Sequence, residues 1–228
     1  MSSVSWSSGL KMNLTEQEKS QINEIAARVE ARTGVQVLAV AAGKSDTYAE
    51  IPWKAFSLGA ALTAFAVTLA VVLKPAWIAI SPLLSATVVL GAGLVFALAA
   101  VFLRPVARLF LGDERAEAET RQFALSLFFE RGLSRTRSRN ALLILVSRFE
   151  RRAAVVADTG IIERIPQADL EGISAAMDAI LTRASVSAAL TRGLFALEEL
   201  LRTKGFIIRS GAGDEIAEEF LETEGPKP

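Results

Sequence analysis

Between Lys54 and Arg104 the chain carries one charged residue, Lys74, and no carboxylate occurs from Ile51 to Gly112. A helix needs about 20 apolar residues to cross hydrocarbon. Residues 55–73 supply one such run and residues 83–103 a second. Between them, Lys74-Pro75-Ala76-Trp77 and Ser81-Pro82 bring turn formers, a charge and an aromatic ring suited to a membrane interface. Within lipid every backbone polar group must be satisfied internally, so the pattern predicts two helices joined by a short tip, a transmembrane hairpin. The competing reading is a pair of core helices in a soluble protein. Core helices of this length normally keep a polar stripe, and these runs have none.

Removing the hairpin from 228 residues leaves enough chain for one domain of ordinary size. Formal net charge is zero, which points to no nucleic acid or other charged partner. The chain has no Cys and no His. That excludes disulfides, thiol nucleophiles, histidine-ligated zinc and triads built on histidine. Catalysis, if any, is confined to carboxylates, hydroxyls, Lys, Arg or a hard cation held by oxygen. Residues 1–10 are Ser-rich without an apolar core behind a basic start, so no secretory signal is expected there. Lys54 precedes the first span, and Arg104, Arg108 and Arg115 follow the second, against Lys74 alone at the tip. The positive-inside rule therefore predicts a two-pass protein of the plasma membrane with both termini cytoplasmic.

Thr15 and Glu18 have the spacing of a capping box, and Ile22, Ile25, Ala26 and Val29 then share a helical face. Thr33-Gly34 ends that helix, and residues 35–42 read as a buried strand followed by a polar turn. One helix and one strand cannot bury a core, so partners must come from beyond the hairpin. Residues 115–131 predict a helix with Phe123, Leu127 and Phe128 on one face and Gly132 as its stop. Residues 141–146 and 153–157 predict two strands whose short link favours an antiparallel pair. Asp158-Thr159-Gly160 reads as a turn, and helices follow over 167–182 and 186–204, the latter with Leu190, Leu194, Leu197 and Leu201 aligned. The tail is acidic and predicted mobile, with a transient helix over 215–221. The expected fold class is α/β, a sheet between helices, divided as 1–50, hairpin 51–112, 113–206 and tail 207–228.

The ordered series Leu127-Phe128-Phe129-Glu130-Arg131-Gly132-Leu133, Thr136-Arg137-Ser138-Arg139-Asn140, residues 141–147, Phe149-Glu150-Arg151 and Val155-Val156-Ala157-Asp158-Thr159-Gly160-Ile161 closely resembles the TPM domain. The opening helix and the strand after Thr33-Gly34-Val35 resemble it as well. That family includes a thylakoid-lumen acid phosphatase, a photosystem II repair protein and an auxiliary subunit of a nematode acetylcholine receptor. The resemblance implies a three-layer α/β domain in which the hairpin is an insertion near Tyr48-Ala49-Glu50. It also implies a bacterial subgroup, and hence a bacterial inner membrane. The chain departs from the pattern at Ala141, where many relatives have Gly, and at Ser134, where many have His. Because members do different things on one scaffold, the resemblance leaves function open.

Asp158 stands at a strand end before Thr159-Gly160. Two uses are open: ordering its own turn, or, as the resemblance implies, holding a divalent cation such as calcium or magnesium for phosphate-ester hydrolysis. Asp46 and Glu50 are the helpers if the sheet brings their strand end near. A basic cluster, Arg131, Arg135, Arg137, Arg139, Arg148, Arg151 and Arg152, is interrupted only by Glu150. Its uses are a solvated surface, contact with lipid headgroups, or grip on a phosphate, with Arg137, Arg139 and Arg151 as the candidates. The spans hold no ionisable residue, which argues against transport. Ala60 with Ala64 and Gly93 with Ala97 offer small-residue pairs for packing the two helices together. Two functions follow: a membrane-anchored interaction module for assembly or repair of other membrane proteins, or a cation-dependent phosphatase acting on monoesters. The expected partners are the bilayer and other membrane proteins. No catalytic residue and no oligomeric state can be named.

Overall fold

The computed structural model describes residues 14–73, 75, 81–136, 138–206 and 220–226. The chain divides into two compact units, Met1–Asp46 with Glu114–Pro228, and Thr47–Asp113.

The first unit begins with α1 (Glu16–Thr33), whose capping box forms as expected: Glu18 N–H donates to Thr15 Oγ1 (3.2 Å) and Thr15 N–H to the Glu18 carboxylate (2.9 Å). Gly34 takes the left-handed conformation (φ 68°) that ends the helix, and its N–H donates to Glu30 O. The chain then enters β1 (Gln36–Ala42). After the second unit, α5 (Asp113–Glu130), β2 (Ala141–Ser147), β3 (Arg152–Ala157), the short α6 (Thr159–Ile162), α7 (Gln167–Leu181), α8 (Val186–Thr203) and β4 (Phe220–Thr223) complete the fold.

The sheet order is β3-β2-β1-β4. β1 runs parallel to β2, from Gln36 opposite Ala141 to Ala42 opposite Ser147, and parallel to β4. β2 and β3 form the expected antiparallel pair. Alternation along the strands makes the layers. Val37, Ala39, Ala41, Leu142, Ile144 and Val146 pack with the apolar faces of α1, α7 and α8. Leu38, Val40, Leu143 and Leu145 pack with Ala124, Leu127 and Phe128 of α5. This is a three-layer α/β unit, with a mixed sheet between helices. Side chains close its edges: Glu30 accepts from Val37 N–H (2.6 Å) where β4 does not reach, and Asp178 accepts from Ala153 N–H (2.6 Å) on β3. Such plugs remove donors that an edge would otherwise offer to another strand.

The structure corrects three local expectations. Residues 220–223 of the acidic tail form the edge strand β4, because pairing with β1 satisfies their backbone and Lys19 meets Glu222 (2.7 Å). Residues 215–219 lie outside the described residues. The expected turn at 158–160 starts a short helix, since Asp158 caps it. An additional helix, α4 (Arg104–Leu109), follows the second span, which ends one residue earlier than predicted.

The second unit is built on α2 (Ile51–Leu73) and α3 (Pro82–Phe102), both long and apolar enough to cross a membrane. Only 6% and 11% of their most apolar stretches are buried, the reverse of what a core helix shows. The two pack antiparallel through reciprocal glycine–phenylalanine contacts. A Cβ on Gly59 would lie 2.7 Å from Phe96 Cγ, and one on Gly93 would lie 2.8 Å from Phe56 Cε2. Gly93 thus has the predicted packing role, while its partner is an aromatic ring. Lys74 and Trp77 of the tip lie outside the described residues.

Candidate functional site

Two polar clusters stand at opposite ends of the sheet. At the first, β3 ends in Asp158, whose N–H donates to Ala141 O (2.9 Å) and so fixes it beside the start of β2. Its carboxylate is 4% exposed. Oδ1 accepts from Thr159 N–H (2.7 Å) and lies 4.0 Å from Arg139 Nη1. Oδ2 is buried with no hydrogen-bond partner among the described residues. The loop before β2 closes over this point. Arg139 adopts a positive φ (51°), its carbonyl accepts from Gly160 N–H (3.1 Å), and a Cβ on Gly160 would lie 2.7 Å from Asn140 Oδ1. Thr136 Oγ1 in the same loop is likewise buried without a partner among the described residues. Arg137 lies outside the described residues.

Asp158 therefore caps the short helix α6, and among the described residues it keeps one oxygen unspent. As a cation site the donor set is thin. No group of three or more acidic, His or Cys residues with metal-binding geometry occurs among the described residues. A guanidinium also already stands beside the carboxylate. A calcium ion takes six to eight oxygens and usually several acids. Among the described residues the acids do not supply the donor set that such an ion takes.

The second cluster joins the loop after β1 to the β2–β3 turn. Glu150 is buried, its Oε1 accepting from Ser45 N–H (2.6 Å) and its Oε2 from the Ser147 hydroxyl. Ser45 Oγ lies 3.4 Å from Thr120 Oγ1 on α5. Asp46 pairs with Arg115 (3.4 Å), which also reaches Glu119 (3.6 Å). Backbone bonds from Arg148 N–H to Ala42 O and from Phe149 N–H to Gly43 O complete the closure. These contacts connect Ser45 and Asp46, where the chain leaves this unit, to Arg115 and Thr120, where it has returned.

The parallel register decides which predicted site residues can meet. Asp158 lies beside Ala141, at the start of β2, and Asp46 follows β1 past Ala42, which is opposite Ser147 at the end of β2. β2 has seven residues, so at about 3.3 Å per residue the two acids are roughly 20 Å apart. They cannot share one ion. The same separation divides the basic candidates: Arg139 belongs to the Asp158 end, and Arg151, with positive φ (54°), to the Glu150 end. Arg152 is committed to Asp178 (3.0 Å). In the sequence Glu150 stood out only as the interruption of the basic cluster, and its buried role was missed. The signal available was an acid following an apolar strand by three positions.

A model of the TPM domain family matches residues 106–200. Among solved structures, the chain is similar to the NMR structure of the BA42 protein from the psychrophilic bacterium Bizionia argentinensis. That match has 12% identity and a TM-score of 0.54, covering 94% of this chain and 99% of that one. At that identity the likeness concerns the fold. No curated protein matches the chain significantly. The segment from Val106 through most of α8 is thus similar to a TPM domain, and its larger part, from Glu114 onward, folds into one unit with α1 and β1.

Proposed function

We propose that this protein is a membrane-anchored TPM domain that acts as an interaction module in the assembly or repair of other membrane proteins. The observation that supports it is the place of the hairpin in the chain. Both ends of the hairpin join one folded unit, and the Ser45–Glu150 and Asp46–Arg115 contacts hold the departing and returning segments together. The domain is thereby joined to the hairpin at two points of the chain rather than by one terminal linker. That suits a surface presented to neighbours in the same bilayer. The flanking basic residues support a two-pass topology in the plasma membrane with both termini cytoplasmic.

Crosslinking in native membranes, followed by identification of attached proteins, tests this reading. Specific membrane-protein adducts are expected, and they should disappear when the hairpin is kept and the domain is replaced. Recovery of lipid and random neighbours alone would reject the module. A second reading, hydrolysis of phosphate monoesters near Asp158, draws support from the unpartnered Oδ2 with Arg139 beside it. Turnover lost in a folded Asp158→Asn variant would favour it. Absence of turnover across pH and with added divalent cations would remove it.

A further inference from the structure

The base of the hairpin carries a feature that membrane spanning alone does not require. α3 stops at Phe102, and Leu103 adopts an extended conformation (φ −109°, ψ 100°) before α4 begins. Pro105 lacks the N–H that continuing α3 would need, yet it is tolerated in the first turn of a new helix. The break falls where the charge-free stretch ends, between Phe102 and Arg104. α4 then presents Leu109 at 83% exposure beside Arg108, and Leu103 is 54% exposed beside Arg104. Large apolar side chains this exposed are costly in water, at roughly 25 cal/mol per Å².

The antiparallel contacts Gly59–Phe96 and Gly93–Phe56 put the start of α2 at the same end of the hairpin as the close of α3. Trp53 is there at 72% exposure, set edge-to-face against Phe56 and followed by Lys54. Tryptophan, exposed leucines and long basic side chains gathered at one end of an apolar pair match the chemistry of a bilayer interface. The rings and aliphatic stems suit the acyl boundary, and the cationic heads suit lipid phosphates.

We propose that α4, together with Trp53 and Lys54, forms an interfacial collar for anionic phospholipid. Leu103 and Leu109 enter the acyl boundary, and Lys54, Arg104 and Arg108 engage the headgroups. This inference rests on the membrane-anchoring reading above, and its test separates the two.

The chain has no cysteine, so single-cysteine variants of the full chain can each carry one environment-sensitive fluorophore. Leu109→Cys reports the collar and Leu94→Cys, on α3, reports the span. Both are reconstituted in phosphatidylcholine vesicles with and without phosphatidylglycerol. The Leu94 label should be quenched best by deep acyl-chain quenchers, and the Leu109 label best by shallow ones. Energy transfer from the Leu109 label should show fluorescent phosphatidylglycerol enriched over fluorescent phosphatidylcholine. Arg104→Gln and Arg108→Gln should each cut that enrichment roughly fivefold. A Leu109 label in water while the Leu94 label sits in hydrocarbon overturns the collar and leaves the anchor standing. Both labels in water overturn both. Equal transfer to the two lipids, unchanged by the substitutions, overturns the headgroup assignment.

Discussion

Glu150 shows how one side chain can hold a split domain together. A buried carboxylate is costly unless its oxygens are satisfied. Here both are, by Ser45 N–H and the Ser147 hydroxyl, groups on segments separated by the whole hairpin in sequence. Glu150→Ala strands those donors in a buried site, where each unsatisfied group costs about 1–3 kcal/mol. The variant should therefore melt well below wild type, whereas Glu150→Gln, which keeps an acceptor, should lose less. Thermal unfolding followed by circular dichroism in detergent checks the order, and equal losses would show that the oxygen contacts do not matter.

Asp178 poses the opposite problem. Burial raises its pKa above the usual carboxylate value, while Arg152 and Ala153 N–H pull it down. A raised folded pKa means that the folded state binds the proton more tightly, so this stabilising contribution is present at low pH. It is lost as pH rises through the folded value. The stability difference between wild type and Asp178→Asn should shift in favour of wild type as pH falls from neutrality into the carboxylate range. The comparison must be made as a difference. Glu18, held below its usual value first by Thr15 N–H, titrates in the opposite sense. A difference that shifts toward wild type with rising pH would contradict the assignment.

At the scale of elements, the hairpin depends on two glycines that admit aromatic rings. Gly59→Ala places a methyl 2.7 Å from Phe96 Cγ, inside any tolerable contact. The expected cost is about 1–3 kcal/mol of helix–helix packing. Phe96→Ala should relieve most of it, so the double variant is less disturbed than the sum of the singles. Protease resistance of the detergent-solubilised hairpin measures this, and strict additivity would rule out the contact. Most elements were legible from sequence because their periods are long and their stops explicit. The capping box at Thr15 and Glu18, the leucine row of α8 and the apolar runs of β1 and β2 are examples. α4 was not, because Leu103-Arg104-Pro105 signals a break without saying that a new turn follows. β4 was not, because Phe220–Thr223 is short and acidic and becomes a strand only through β1. The failed pairing of Asp158 with Asp46 has the same origin. Each acid was correctly placed at a strand end, but which end is a property of the parallel register between distant segments.

For the whole molecule, the central question is whether the TPM-type domain needs the hairpin in order to fold. Its core says no. Among the described residues, the clusters on the two faces of the sheet draw on α1, α5, α6, α7, α8, the strands and their adjoining loops, all within the first unit. The segments flanking the insertion are already drawn together, with Asp46 3.4 Å from Arg115 and Ser45 3.4 Å from Thr120. Closing them with a short flexible linker costs only loop entropy, which grows slowly with length. Replacing residues 47–113 with a Gly/Ser linker should therefore give a water-soluble protein that unfolds in one cooperative transition and has dispersed amide resonances. Glu150→Ala should also destabilise this excised form, because Ser45 and Ser147, which meet its carboxylate, both belong to the first unit. If the excised protein is molten or aggregates while the full chain melts cooperatively, the hairpin is part of the folding unit. The insertion would then have to be regarded as structural, and the two-point tether would no longer be a device added to a self-sufficient domain.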